Sequence, residues 1–208
     1  LRMQVDSKPE ELDSIDREIV RLKLEAEALK KETDYASKDR FRRVAEELAE
    51  RRPGDIWTWI RAAEHTADVA QAIVMTDRAL ALEPRSQAAH ETRLATLLRA
   101  GRFDEIDSAL EKHPWEGQAP ISIRLFGVHA NKMRGNIKAA FQQLRQLIDE
   151  DANNYGLWEL LAEWSDEDDR FKTYLEAAEN LVRLAPNYYK AHGFLAHALM
   201  KHDERASA

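Results

Sequence analysis

The sequence has no cysteine among its 208 residues. This absence excludes disulfide bonds, thiolate catalysis and cysteine-bound zinc. Glycine (7) and proline (6) are scarce, and they lie at breaks between periodic segments. No apolar run approaches the roughly 18–20 residues that span a bilayer, and the opening residues LRMQVDSKPEE are charged, unlike a signal peptide. The expected protein is therefore helical, soluble and cytoplasmic, without a membrane partner.

Basic residues are not in excess either, because 31 Lys and Arg face 38 Asp and Glu, for a net charge of -7. Nucleic acids and anionic membranes bind to basic faces, so neither is expected as a partner. The chain has no G-x-x-x-x-G-K-[ST] phosphate loop. His192, His197 and His202 are spaced five apart and do not share one helix face. We therefore expect no enzyme, with no catalytic residues, no metal and no cofactor.

What the sequence does have is a 34-residue repeat of apolar positions, a period that indicates a stacked array. Each repeat carries two amphipathic helical patterns, which predicts an all-α fold. The predicted repeats are 53–86, 87–120, 121–154 and 155–188, followed by a capping helix at 189–208 that ends near Lys201 and a frayed tail. One repeated column is Ile60, Leu94, Val128, Ala162 and Ala196, and another is Ala72, Ile106, Ala140 and Tyr174.

Glycine and proline residues mark the breaks between the predicted helices. Gly101 and Gly135 are 34 residues apart and suit helix ends that require a positive φ. Pro84 and Pro186 close the first and fourth repeats, where proline cannot continue a helix. The second repeat differs, because residues 115–120 are expected to form a loop where the other repeats keep helix.

Residues 1–52 show a different pattern, which predicts a helical hairpin. Apolar residues spaced three and four apart form a heptad seam in its first helix. Ser37 or Asp34 is the expected N-cap of its second helix, which ends before Pro53. The seam must pack on the second hairpin helix, on the first repeat or on another chain, so self-association through the hairpin is left open. The seam residues are Leu12, Ile15, Ile19 and Leu22, and the second helix carries Phe41, Val44 and Leu48.

Residues 53–208 resemble the tetratricopeptide repeat (TPR) family. The fourth repeat carries the match through Trp158, Leu161, Ala162, Ala178, Leu181 and Pro186. Elsewhere the pattern is degenerate, since His90 and Arg124 stand where the family has a large apolar residue. The resemblance implies an α-solenoid of about four repeats that binds a protein or peptide.

The run DSKPEELDSIDREIVRLK resembles the coiled-coil middle domain of ClpB-type AAA+ disaggregases. That family implies an ATP-driven hexamer whose coiled coil contacts a partner chaperone, but without a phosphate loop the ATPase activity does not carry over. The resemblance fades over residues 44–51, inside the second helix. Natural domain boundaries prefer flexible linkers, so we interpret the chain, which starts at Leu1, as an engineered chimera joined through a continuous helix.

Two functions fit this organisation. The first is a non-enzymatic protein–protein interaction scaffold that holds the hairpin and the repeats in a fixed relation. The alternative is a natural co-chaperone-like adaptor whose TPR groove binds a peptide and whose hairpin docks a chaperone. The candidate groove contacts are the non-core residues of the first helices: Trp57, Arg61, Glu91, Arg99, His129, Lys132, Glu159, Glu163 and Lys190.

The remaining polar and aromatic residues have plainer interpretations. The mixed charges of the groove candidates do not match the Lys/Asn/Arg set with which some TPR proteins clamp a C-terminal carboxylate. The acidic residues between Glu159 and Asp169 are expected to be a solvated helix end, with attraction of a basic peptide as the alternative. Trp59 and Trp158 are expected in the core, whereas Trp57 and Trp164 are expected to be more exposed.

Overall fold

The computed structural model describes residues 10–29 and 35–206, and every regular element within these ranges is an α-helix. This confirms the predicted all-α fold. Each of the four predicted repeats contains two of these helices. In chain order the helices are α1 (Glu10–Leu29), α2 (Tyr35–Arg51), α3 (Ile56–His65), α4 (Val69–Leu82), α5 (Gln87–Arg99), α6 (Phe103–Glu111), α7 (Ile121–Met133), α8 (Ile137–Glu150), α9 (Tyr155–Glu167), α10 (Phe171–Leu184) and α11 (Tyr189–Ala206).

The turns within the second, third and fourth repeats each contain a residue with positive φ, a conformation that glycine adopts easily. Gly101 (φ 69°) and Gly135 (φ 85°) occupy these positions, and Asp169 (φ 55°) takes the equivalent place 34 residues later. The amide of the next residue then donates to a carbonyl five residues back, for example Arg102 N to Leu97 O at 2.9 Å. This pattern satisfies carbonyls that a helix end leaves unpaired.

The chain separates into two compact units, and the first is Leu1–Gly127. Within it, Ala45 and Ala49 of α2 are buried in one cluster with Ile56, Trp59 and Ile60 of α3. The hairpin and the first repeat therefore share a core. The predicted domain boundary at 52/53 follows the change in sequence pattern and stays a prediction.

The described part of the heptad seam packs on the second hairpin helix, one of the three alternatives left open. Leu22 is fully buried in a cluster with Val44 and Leu48, and Ile19 packs against its edge. The side chains of Leu12 and Ile15, and residue Asp34, lie outside the described residues. Two helices joined in this way form a hairpin whose apolar contacts lie between α1 and α2.

The second unit, Val128–Ala208, contains the end of α7 and helices α8–α11. The apolar columns form its core, where Leu144, Leu161, Ala162, Tyr174 and Leu181 are buried. On the outside, the guanidinium of Arg145 donates two hydrogen bonds to the carboxylate of Glu176, at 2.5 and 2.6 Å. This pairing holds α8 to α10 and lowers the pKa of Glu176.

Three details predicted from the sequence are wrong. Ser37 lies within α2 and is not its N-cap. Helix α11 continues beyond Lys201 to Ala206, because the polar residues there are compatible with helix and none is glycine or proline. Trp164 is only 6% exposed. Its position repeats every 34 residues as Ala62, Thr96, Ala130 and Ala198, all buried, and their small size hides the column from an apolar pattern.

Candidate functional site

A groove between α9, α10 and α11, with a volume of about 510 Å³, is the main candidate site of the second unit. We call it the α9–α11 groove. Acidic residues of α9 form one wall, and aromatic and basic residues of α10 and α11 form the other. The lining residues are Glu163, Asp166, Glu167, Tyr174, Tyr189, Lys190, Gly193, Phe194 and His197.

The acidic wall is held by lysines from neighbouring helices. Lys132 pairs with Glu167, and Lys201 pairs with Asp166. Lys190 lies 2.6 Å from Glu159, a hydrogen bond that raises the pKa of Lys190. The acidic end of α9 is therefore tied to α7 and α11, and is only partly the solvated helix end expected from the sequence.

Aromatic rings form the opposite wall. The Tyr174 hydroxyl lies 2.9 Å from Nδ1 of His197 and 3.2 Å from the carbonyl oxygen of Phe194, which ties α10 to α11. Burial raises the pKa of Tyr174 to about 12. Tyr189 is 81% exposed, so its ring is available to a bound molecule.

A cation already lies over an aromatic ring in this groove. The Lys190 Nζ is 5.8 Å from the centre of the Phe194 ring. A second example lies beside the groove, where the Lys132 Nζ is 4.5 Å from the Trp164 ring. Distances within about 6 Å of the ring centre are typical of cation–π attraction. The groove thus combines carboxylates and ring faces, both of which attract cations.

A smaller pocket, of about 260 Å³, lies in the first unit between the hairpin and α3. Phe41, Ala45 and Leu48 of α2 provide apolar walls, and Trp57 and Arg61 of α3 lie at the side. The Trp57 side chain is 62% exposed, as expected. Two of the nine predicted contact residues therefore belong to this pocket rather than to the α9–α11 groove.

The other predicted contacts in the first half of the chain lie on α5. Glu91 accepts a hydrogen bond from the Gln87 amide at 2.9 Å, and the same amide nitrogen lies 2.9 Å from the Ser122 hydroxyl. Arg99 is exposed at the end of α5. These two residues line neither of the two pockets.

Five predicted contacts lie in the second unit, in or beside the α9–α11 groove. Glu163 and Lys190 line it, and Glu159 is paired with Lys190. Lys132 pairs with a lining residue, Glu167. His129 is half-buried against Trp164, with ring centres 5.3 Å apart, and burial lowers its pKa. Whether any of these side chains contacts a partner stays a prediction.

The sequence did not identify the aromatic wall. Tyr174 was assigned to a core column, and it is indeed 2% exposed, but its hydroxyl reaches the groove wall. Tyr189, Phe194 and His197 lie on α11, where the only predicted contact is Lys190. The repeat length could have identified His197, because it lies 34 residues after Glu163, which is itself a predicted contact.

Two further kinds of feature are absent from the described residues, a metal site and a membrane-spanning helix. Within them no group of three or more histidine, aspartate or glutamate side chains is arranged to hold a metal ion. In the same part of the chain no helix combines the length and apolarity that a membrane crossing needs.

The sequence comparisons confirm the ClpB resemblance of part of the chain. No family model matches. A stretch of 50 residues, 24% of this chain, is 70% identical to the chaperone protein ClpB of Brucella melitensis and 66% identical to that of Agrobacterium fabrum, and it spans 6% of each. A longer alignment with ClpB of Vibrio vulnificus covers 53% of this chain and 13% of that protein at 35% identity. The chain thus spans only a small part of these relatives.

The structural comparison supports the TPR-like fold. A crystal structure of a thermophilic TPR protein from Thermus thermophilus superposes with a TM-score of 0.59. The match covers 88% of this chain and 98% of that chain at 17% sequence identity. At this identity the likeness shows the fold alone, which is a TPR-like helical array.

Proposed function

We propose that the chain is a non-enzymatic protein–protein interaction scaffold whose α9–α11 groove binds a segment of a partner protein. The groove is the observation that carries this proposal. Its volume of about 510 Å³ lies within the roughly 300–1,000 Å³ typical of ligand pockets, and it offers an aromatic ring that is 81% exposed. Exposed aromatic anchors contribute strongly to protein interfaces.

The hairpin supports the scaffold part of the proposal. Helix α2 is continuous from Tyr35 to Arg51 and shares a core with α3. Such a helix holds the ClpB-like segment against the first repeat without a flexible linker. A stretch of 50 residues that is 70% identical to ClpB, in a chain whose fold is TPR-like, supports an engineered fusion through a shared helix.

The alternative is a natural co-chaperone-like adaptor, in which the groove binds a peptide and the hairpin docks a chaperone. The outer side of α1 favours a docking role, because Val20 and Leu24 are 56% and 69% exposed. The same side chains could join two copies of the chain. Light scattering of the purified chain distinguishes self-association from docking on a different protein. A dimer indicates that α1 joins two copies, whereas a monomer indicates that the exposed side of α1 is available to another protein.

Peptide selection tests the binding function. A phage-displayed library of random dodecapeptides is selected on the whole chain, and the enriched peptides are measured by fluorescence anisotropy. We expect saturable binding that Tyr189→Ala weakens more than about fivefold, the ratio for the loss of 1 kcal/mol at a contributing interface residue. Trp57→Ala is the matched control, because Trp57 is also an exposed aromatic (62%) but lies in the other pocket.

Two results would contradict the proposal. One is that no peptide is enriched on the whole chain. The other is that the enriched peptides bind the Tyr189→Ala variant as tightly as the unmodified chain. Stronger weakening by Trp57→Ala would instead place the binding site between the hairpin and α3.

A further inference from the structure

The negative charges at the C-terminal end of α9 disfavour that helix. Asp166 and Glu167 lie at its C-terminal end, and its last turn contains no basic residue. The C-terminus of a helix carries a partial negative charge, so carboxylates are disfavoured there. The groove that α9 borders is therefore more negative than its side chains alone indicate.

The lysines around the groove are already used to balance these carboxylates. Lys201 pairs with Asp166, Lys132 with Glu167, and Lys190 with Glu159. Glu163 differs, since it is exposed and makes no ion pair within 4.0 Å among the residues that the structure describes. It lies in the groove itself, between the paired carboxylates of the same helix.

Glu163 contributes through its charge to the raised pKa of Lys190, but the repeat places no lysine in its own column. Positions 34 residues before and after it are occupied by His129 and His197, which are imidazoles rather than permanent cations. Burial lowers the pKa of His129, which favours its neutral form. Nδ1 of His197 is engaged with the Tyr174 hydroxyl at 2.9 Å. The column therefore supplies no fixed positive charge to the Glu163 carboxylate.

The ring faces beside Glu163 add a second attraction for a cation. Phe194 already lies under one lysine ammonium at 5.8 Å, and Tyr189 is 81% exposed. An arginine guanidinium is planar, so it can stack on a ring while its N–H groups pair with a carboxylate. A lysine ammonium is a compact, strongly hydrated charge and gains less from such a site.

We infer that the α9–α11 groove binds an extended basic segment of a partner protein through an arginine, whose guanidinium pairs with Glu163 and stacks on the aromatic wall of α11. This rests on the proposed function, which says that the groove binds a protein segment, and it adds the chemistry of that segment. It also assigns Glu163 the central role, because the other carboxylates of α9 in and beside the groove have intramolecular partners.

The test uses the dodecapeptides selected on the whole chain. Arginine should be enriched among them, and replacing the critical arginine by citrulline, its neutral isostere, should weaken binding about tenfold, as expected for the loss of a charge-assisted hydrogen bond. Glu163→Gln should weaken binding by a similar factor. Glu179→Gln is the matched control, since Glu179 is also exposed but lies on α10 and does not line the groove. Binding should also weaken as salt is added.

The outcomes separate this inference from the proposed function. Peptides that lack basic residues, or that bind the Glu163→Gln variant unchanged, overturn the inference. If such peptides are still weakened by Tyr189→Ala, the groove remains a protein-binding site of different specificity. If no peptide is enriched, both the inference and the proposed function fail.

Discussion

Replacing Ala45 by proline tests whether α2 couples the hairpin to the first repeat. Ala45 lies in the interior of α2 and is 4% exposed, within the cluster that α2 shares with α3. Proline removes the N–H that bonds to the carbonyl of Phe41, and its ring clashes with that carbonyl. The cost in a helix interior is about 3 kcal/mol or more.

This cost can be converted into a measurable change in hydrogen exchange. Since 1.4 kcal/mol is a factor of ten in an equilibrium constant, 3 kcal/mol increases the opening of α2 by roughly two orders of magnitude. Native-state amide exchange followed by mass spectrometry resolves peptides from 35–51 and 56–65. We expect exchange to be about a hundredfold faster in α2, and faster in α3 as well, because the two helices share buried residues.

Ala36→Pro is the matched control for this experiment. Ala36 is exposed and lies in the first turn of the same helix, where an amide has no intrahelical partner and proline is tolerated. The reasoning is refuted if Ala45→Pro leaves the protection of both peptides unchanged, or if Ala36→Pro lowers it equally. Loss of protection in α2 alone would show that α3 is stable without the hairpin.

Other substitutions test individual features of the structure. Trp164→Ala should lower the free energy of unfolding by about 3–5 kcal/mol in guanidinium denaturation, because it empties a buried site, whereas the exposed Trp57 should tolerate alanine within about 1 kcal/mol. Asp169→Gly should raise the melting temperature, since glycine adopts a positive φ without strain, and Gly135→Ala should lower it. Burial lowers the pKa of His129 below 6.5, so the unfolded chain binds a proton more readily, and stability should fall as the pH drops through 6.5. His129→Gln should flatten that decline, and an unchanged pH profile would contradict the role of burial.

The fold was largely predictable because the repeat places chemically equivalent residues in equivalent environments. Ile60, Leu94, Val128, Ala162 and Ala196 form one predicted apolar column, of which the first four are buried and Ala196, on the last helix, is exposed. A column is recognised when its members are apolar and large. Trp164 was misplaced because its column is otherwise filled by small residues, whose burial leaves no comparable pattern in the sequence.

The candidate groove was less predictable because its pairs join distant parts of the chain. Helix-local rules consider side chains three or four residues apart, whereas Lys132 pairs with Glu167, and Asp166 with Lys201. Both pairs are 35 residues apart, close to one repeat. The repeat length therefore indicates which residues can form ion pairs between repeats, but only when the stacking of the helices and the sides that face each other are known.

Helix α2 gives the strongest physical reason to expect a rigid junction between the hairpin and the first repeat. One side of α2 buries Val44 and Leu48 against α1, and the adjacent side buries Ala45 and Ala49 with residues of α3. Successive residues differ by about 100° around a helix. Val44 and Ala45 therefore point to different sides of α2, and so do Leu48 and Ala49, one turn later. The residues of α2 that pack on α1 and those that pack on α3 are therefore interleaved within one segment. A flexible linker imposes no such requirement, so the interleaving favours a fixed relation between the hairpin and the first repeat over an adaptor in which these two parts are independent.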